Sequence, residues 1–213
     1  MSESGASEPA VEAPLARRSK PWLAVAAAVG LAVAAVIGWQ VYATRAPRVT
    51  PVPAQLGLLA TDLPAPPFRV QAANGAPVAL PDVAGQVTLV HFWATWCPPC
   101  REELPALVRL GRELEARYPG KFKLLAISVD ESWDAVQQFF AASGPPGVLV
   151  ARDLDGSAMQ AYFCGARGAC PKNFQFPESY VVDAHGRLVA YVPDALNWSE
   201  PAARDYLEKL IRG

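Results

Sequence analysis

Hydrophobic and polar positions fall into four regimes along the chain. Residues 1–20 are rich in Ser, Ala, Glu and Pro and show no apolar period, which predicts a disordered N-terminal tail. From 21 to 43 the chain is almost wholly apolar, with no charge between Lys20 and Arg45. At about 1.5 Å per helical residue this stretch crosses a hydrocarbon core of about 30 Å, so it predicts a transmembrane anchor. Residues 44–61 contain Pro47, Pro51 and Pro53 and read as an extended, Pro-rich linker. The remaining segment, 62–213, is long enough for one domain with a core of its own.

Within that domain two periods alternate. Phe68 to Gln71 and Val78 to Leu80 read as strands joined at Asn74-Gly75, a β-hairpin extension at the domain's N-terminus. Val87-Thr88-Leu89-Val90-His91-Phe92-Trp93 is β-branched and apolar enough for a strand buried on both faces. After it, Leu104, Leu107, Val108, Leu110 and Leu114 mark the stripe of a long half-buried helix ending near Tyr118. Lys121 to Val129 reads as a second apolar strand, Ser132 to Ser143 as a helix, Gly147 to Ala151 as a strand and Gly156 to Tyr162 as a short helix. Ser179 to Val182 and Arg187 to Val192 form a hairpin about Asp183-Ala184-His185-Gly186, and Glu200 to Ile211 closes as a helix. Strands alternating with helices and ending in a hairpin predict an α/β fold with a mixed central sheet flanked by helices.

Charge adds compartment. With 19 Lys and Arg against 20 Asp and Glu there is no basic excess for a nucleic-acid partner. Arg17, Arg18 and Lys20 precede the apolar run, so the positive-inside rule keeps residues 1–20 cytoplasmic and exports everything after Arg45. Trp22, Trp39 and Tyr42 suit interfacial anchoring. A cleaved secretory signal is the competing reading, because Val41-Tyr42-Ala43 resembles a cleavage site. Either reading sends the domain out of the cytoplasm, into the bacterial periplasm if the anchor lies in the inner membrane.

Chemistry enters with Trp93-Ala94-Thr95-Trp96-Cys97-Pro98-Pro99-Cys100-Arg101, two thiols one helical turn apart where the central strand gives way to the long helix. The same spacing serves zinc sites, but the other candidate ligands, Cys164, Cys170, His91 and His185, form neither a second Cys-x-x-Cys nor a His-x-x-x-His. At a helix start, unpaired N–H groups and the dipole favour a thiolate. A thiol near pKa 8.5 is about 3% ionised at pH 7, whereas one lowered to about 7 is roughly half ionised. Cys97 is therefore the expected nucleophile. Cys100, on the same face, is the expected resolving thiol. Pro98 and Pro99 lack N–H groups where the first turn has no partners for them. No metal or other cofactor is required by this reading. A binding module holding Cu(I) between the two thiolates is the alternative, against which stand only two Met and two His in the chain.

From about Leu63 to its C-terminus the chain resembles membrane-anchored thioredoxin-like proteins of the TlpA/ResA type. The resemblance rests on Pro67-Phe68, Asn74-Gly75, Val78 to Leu80, Gly85 to Trp93, and Trp96-Cys97-Pro98-Pro99-Cys100-Arg101 with Glu103 and Pro105. It continues in Val129-Asp130-Glu131 and in Phe176-Pro177-Glu178-Ser179-Tyr180-Val181-Val182-Asp183. It implies a thioredoxin fold and thiol–disulfide exchange outside the cytoplasm, often reducing apocytochrome c or copper-site cysteines. The implied partners are cysteine-containing exported client proteins and a membrane thiol-electron transporter that returns the reducing equivalents. The reduction potential, and with it the direction of exchange, is left open by the two prolines between the cysteines.

The resemblance also implies that Pro177 follows a cis peptide bond and faces Cys97, and that Glu103 moves the proton of Cys100. The plainer readings are a trans proline at a strand start and a carboxylate favoured by the helix dipole. Trp96, Pro98, Pro99 and Phe176 are expected to contact the client. His91 stands where the family carries Asp or Asn, and reads either as a proton relay beneath the dithiol or as a buried core histidine. Cys164 and Cys170 bracket a loop before the proline motif. They read as a structural disulfide, stabilising by roughly 2–3 kcal/mol in the chain-entropy model, or as a second redox pair.

Overall fold

The computed structural model describes residues 21–45, 50–143 and 148–213, and the tail predicted over 1–20 lies outside them. The chain divides into two units, Met1–Arg48 and Val49–Gly213.

The first unit contains helix α1, Pro21–Arg45. Its side chains are described at 25, 26 and 28–39, and Val25, Leu31, Val33, Ile37 and Trp39 are all exposed. Among the described residues no helix is long and apolar enough to cross a membrane; of the anchor predicted over 21–43, the side chains at 21–24, 27 and 40–43 lie outside what is described.

The second unit is built on an eight-stranded mixed sheet. Its strands are β1 (Leu59–Pro64), β2 (Arg69–Ala72), β3 (Pro77–Ala79), β4 (Val87–Trp93), β5 (Phe122–Ser128), β6 (Leu149–Arg152), β7 (Glu178–Val182) and β8 (Arg187–Val192). The order across the sheet is β1-β8-β7-β4-β5-β6-β2-β3. Strands β4, β5 and β6 are parallel, and β7 and β8 continue antiparallel from β4. The hairpin β2–β3 extends the far side by pairing antiparallel with β6. Its turn needs a glycine, since Gly75 has φ of 83°, a region that a β-carbon disfavours.

One difference from the sequence reading concerns 44–61. The linker stops short of 61: Leu56 and Leu58 are buried in the core, and Leu59–Pro64 forms β1 against β8. As an edge strand with mostly exposed residues, β1 carries no apolar alternation by which a sequence could reveal it.

Helices α2 (Pro98–Arg117), α3 (Trp133–Ser143), α4 (Ser157–Gly165) and α5 (Pro201–Arg212) complete the unit. Every residue of β4 is buried, and its alternation feeds two cores. Leu89 and Trp93 pack with Leu104, Leu107, Val136 and Leu207 from α2, α3 and α5. Val90 and Phe92 pack on the other face with Tyr162 and Phe163 of α4 and Tyr180 of β7. A strand flanked on both faces reads as a continuous apolar run, as it does here.

Candidate active site

Strand β4 ends at Trp93 and α2 begins at Pro98, so the connecting residues stand at the C-terminal edge of the parallel strands. Asp130, just after β5, fixes that connection: its carboxylate accepts from the Thr95 amide at 3.0 Å, the Thr95 hydroxyl at 2.6 Å and the Ser128 hydroxyl at 2.7 Å. Arg152 holds the same corner by donating to the Asp130 and Glu131 carbonyls.

Cys97 is the N-cap of α2, and its sulfur accepts from the Cys100 amide at 3.3 Å. The two cysteines form a disulfide. In the reduced chain a thiolate at this position meets a backbone donor and the positive end of the helix dipole, both of which favour negative charge there. Pro98 and Pro99 occupy the first helical positions, and both are exposed. Cys97 is 4% exposed and Cys100 is fully buried, so an incoming sulfur meets Cys97 first.

The Cys97 sulfur lies 3.6 Å from the Phe176 carbonyl oxygen, and the Phe176–Pro177 peptide is cis. Trp96 is 63% exposed and crosses Phe176 edge-on with ring centroids 5.8 Å apart. With Phe174 and Pro193 these residues line a groove of about 370 Å³ over Cys97. The structure thus brings together Trp96, Cys97, Pro98, Pro99, Phe176 and Pro177.

Glu103 lies one turn after Cys100 and is buried. Its Oε1 accepts from the indole N–H of Trp198, while Oε2 has no partner. Burial pushes its pKa up to about 7 against the opposing pull of the Trp198 indole and the Leu196 backbone. It is a carboxyl poised to take or give a proton near neutrality. Beside it, Pro99, Ala106, Leu196 and Trp198 line a second recess of about 270 Å³.

His91 does not titrate near neutrality. Its Nδ1 meets the Ser179 hydroxyl at 2.9 Å, its Nε2 has no partner, and complete burial lowers its pKa to about 3. The relay expected of a titrating imidazole loses its premise, because desolvation disfavours the cation.

Cys164 and Cys170 form a second disulfide at the end of α4. Sequence reasoning assigned no partner to the loop they close. Arg167 in that loop pairs with both oxygens of Glu178, the residue after Pro177, at 2.5 and 3.1 Å. The Tyr180 hydroxyl donates to the same carboxylate. Trp198 and Arg167 were equally invisible as site residues, since each acts on a group distant in sequence. Asp130 was legible only as part of the family motif. Among the described residues no group of three or more His, Cys, Asp or Glu is arranged to hold a metal.

A buried strand, a helix capped by a cysteine, two cysteines one turn apart and a cis-proline peptide whose Phe176 carbonyl lies at the Cys97 sulfur define a thioredoxin-fold dithiol protein. A model of the AhpC/TSA family matches residues 62–191, and the chain belongs to that family. It is 26% identical over 151 residues to the thiol-disulfide oxidoreductase ResA of Bacillus subtilis, covering 70% of this chain and 75% of that protein. It is 34% identical over 113 residues to the thiol:disulfide interchange protein CycY of Rhizobium leguminosarum, covering 52% of this chain and 53% of that protein. A solved Chlorobium tepidum structure, described as a thiol:disulfide interchange protein DsbE, superposes with a TM-score of 0.53 at 28% identity. That likeness covers 72% of this chain and 96% of the other. The chain is a thiol-disulfide oxidoreductase with Cys97-Pro98-Pro99-Cys100 as its active site.

Proposed function

We propose that this oxidoreductase works as a membrane-tethered reductase of disulfides in exported proteins, with cytochrome c or copper-site precursors as the client class. The observation that carries the reading is a helix-capping Cys97 sulfur on the same helix as Glu103, a buried carboxyl one turn after Cys100 whose pKa burial raises to about 7. Reduced Cys97 attacks a client disulfide, forming a Cys97–client bond, and the displaced client sulfur leaves as a thiolate that takes a proton. Glu103 accepts the Cys100 proton. The Cys100 thiolate then attacks the Cys97 sulfur, closing Cys97–Cys100 and releasing the second client thiolate. The client gains two electrons and the chain loses two, so a dithiol donor must reset it. A membrane thiol-electron transporter supplies that role.

Tethering is supported by the sequence of 21–43, almost wholly apolar and without a charge between Lys20 and Arg45, as expected of a membrane anchor. The charges at 17, 18 and 20 orient the domain outward. The test is trapping. A Cys100→Ser chain expressed in a bacterial host should accumulate mixed disulfides with exported proteins, recovered from the membrane fraction. Mixed disulfides confined to cytoplasmic proteins would refute the reading.

A further inference from the structure

The Cys164–Cys170 loop reaches the active site by two routes that share one side chain. Arg167 pairs with Glu178, a buried carboxylate that immediately follows Pro177 and also accepts from Tyr180. Arg167 also donates to the Phe163 carbonyl at 3.1 Å, and its guanidinium stands 5.9 Å from the Phe163 ring and 5.4 Å from the Tyr191 ring. Phe163 in turn seats Phe174 and Phe176, each with ring centroids 5.5 Å away. Phe176 meets Trp96 over Cys97. Both ends of the segment 174–177 therefore bear on one guanidinium.

We infer that Arg167, presented by the loop that Cys164 and Cys170 close, is a positioning residue that fixes the Phe174–Pro177 wall for a polypeptide client. This rests on the reading that the wall receives the client segment. The physical reason is that a buried carboxylate left without its cation is strongly unfavourable, so Glu178 and the strand start it belongs to follow Arg167. A wall held in place before binding lowers the ordering cost of docking an extended segment. Small disulfides need no wall. They need only Cys97.

The test compares two oxidants on the full-length chain: insulin as a polypeptide disulfide and hydroxyethyl disulfide as a small one. Arg167→Met should lower kcat/KM for insulin about tenfold, mostly through KM, while the rate with hydroxyethyl disulfide changes less than about twofold. Arg167→Lys keeps the charge without the fork, and should fall between. Because Arg167→Met strands a buried charge and endangers folding, Arg167→Met/Glu178→Gln removes both charges and should show the same selective loss. Cys164→Ser/Cys170→Ser should lose insulin activity in the same sense, by about threefold or more, through the freed loop. Unchanged insulin kinetics in the charge-free double variant would overturn the inference, as would equal losses with both oxidants. A wild-type chain that fails with hydroxyethyl disulfide would instead refute the proposed reductase.

Discussion

The chain holds two disulfides, and their surroundings differ in almost every respect that matters to reactivity. Cys97–Cys100 is nearly inaccessible, 4% and 0% exposed, whereas Cys170 lies exposed in a loop. Exposure alone would make the second pair the reactive one. Electrostatics reverse the ranking. Opening Cys97–Cys100 yields a sulfur already receiving a backbone N–H at a helix start, on a helix whose next turn carries a buried carboxyl that titrates near neutrality. Opening Cys164–Cys170 frees the loop whose arginine pairs with Glu178. The lesson is that a disulfide's role follows from what its reduced form would gain or lose, more than from its access to solvent.

The largest expected effect is the simplest. Cys97→Ser should lower exchange with hydroxyethyl disulfide by more than about a thousandfold, because the thiolate is the nucleophile. The same assay should change less than about twofold in Cys164→Ser/Cys170→Ser. Stopped-flow measurement of both variants would break the comparison if the losses were alike.

Next comes the proton. Glu103→Gln should slow closure of the Cys97–client mixed disulfide by about ten- to a hundredfold at pH 7, the usual scale for a general base. Stability gives an independent check on the same carboxyl. Between pH 4.5 and about 7 folded Glu103 keeps a proton that the unfolded chain has lost, so stability falls as pH rises through that window, by about 3 kcal/mol in all. Urea titrations across pH should show this slope in the wild type and its absence in Glu103→Gln.

His91 sharpens the same side of the comparison with the opposite sign. Burial lowers its folded pKa from the ordinary 6.5 to about 3, so its contribution is present above pH 6.5 and lost as pH falls toward 3. The loss amounts to at most about 1.4 kcal/mol per pH unit. His91→Asn should flatten this acid slope while leaving the pH profile of Cys97 alkylation unchanged. A smaller effect probes the seat of the redox helix. A β-carbon on Gly111 of α2 would stand 2.6 Å from Leu124 Cδ2, so Gly111→Ala should destabilise by about 1–3 kcal/mol in denaturant unfolding.

What the sequence disclosed and what it hid divide along the same physical line. Strand β4 was legible because both of its faces are buried, and α2 because its stripe and its cysteine cap are local signals. The hairpin β2–β3 announced itself at Asn74-Gly75. Strand β1 was hidden, since an edge strand containing Asp62 and Pro64 shows no alternation. Trp198 meets Glu103 across 95 positions, and only folding brings them together. His91 was visible as an interruption in an apolar strand, but its neutrality depends on the depth of its burial, which the order of residues does not reveal.

The central claim is that Cys97–Cys100 is the working pair while Cys164–Cys170 holds the wall. Equilibrating the full-length chain in graded thiol buffers, trapping with iodoacetamide and mapping each cysteine by mass tests it directly. Cys97 and Cys100 should open and be labelled at poises where Cys164–Cys170 stays closed. Cys164 and Cys170 opening first, with Cys97–Cys100 intact, would contradict it.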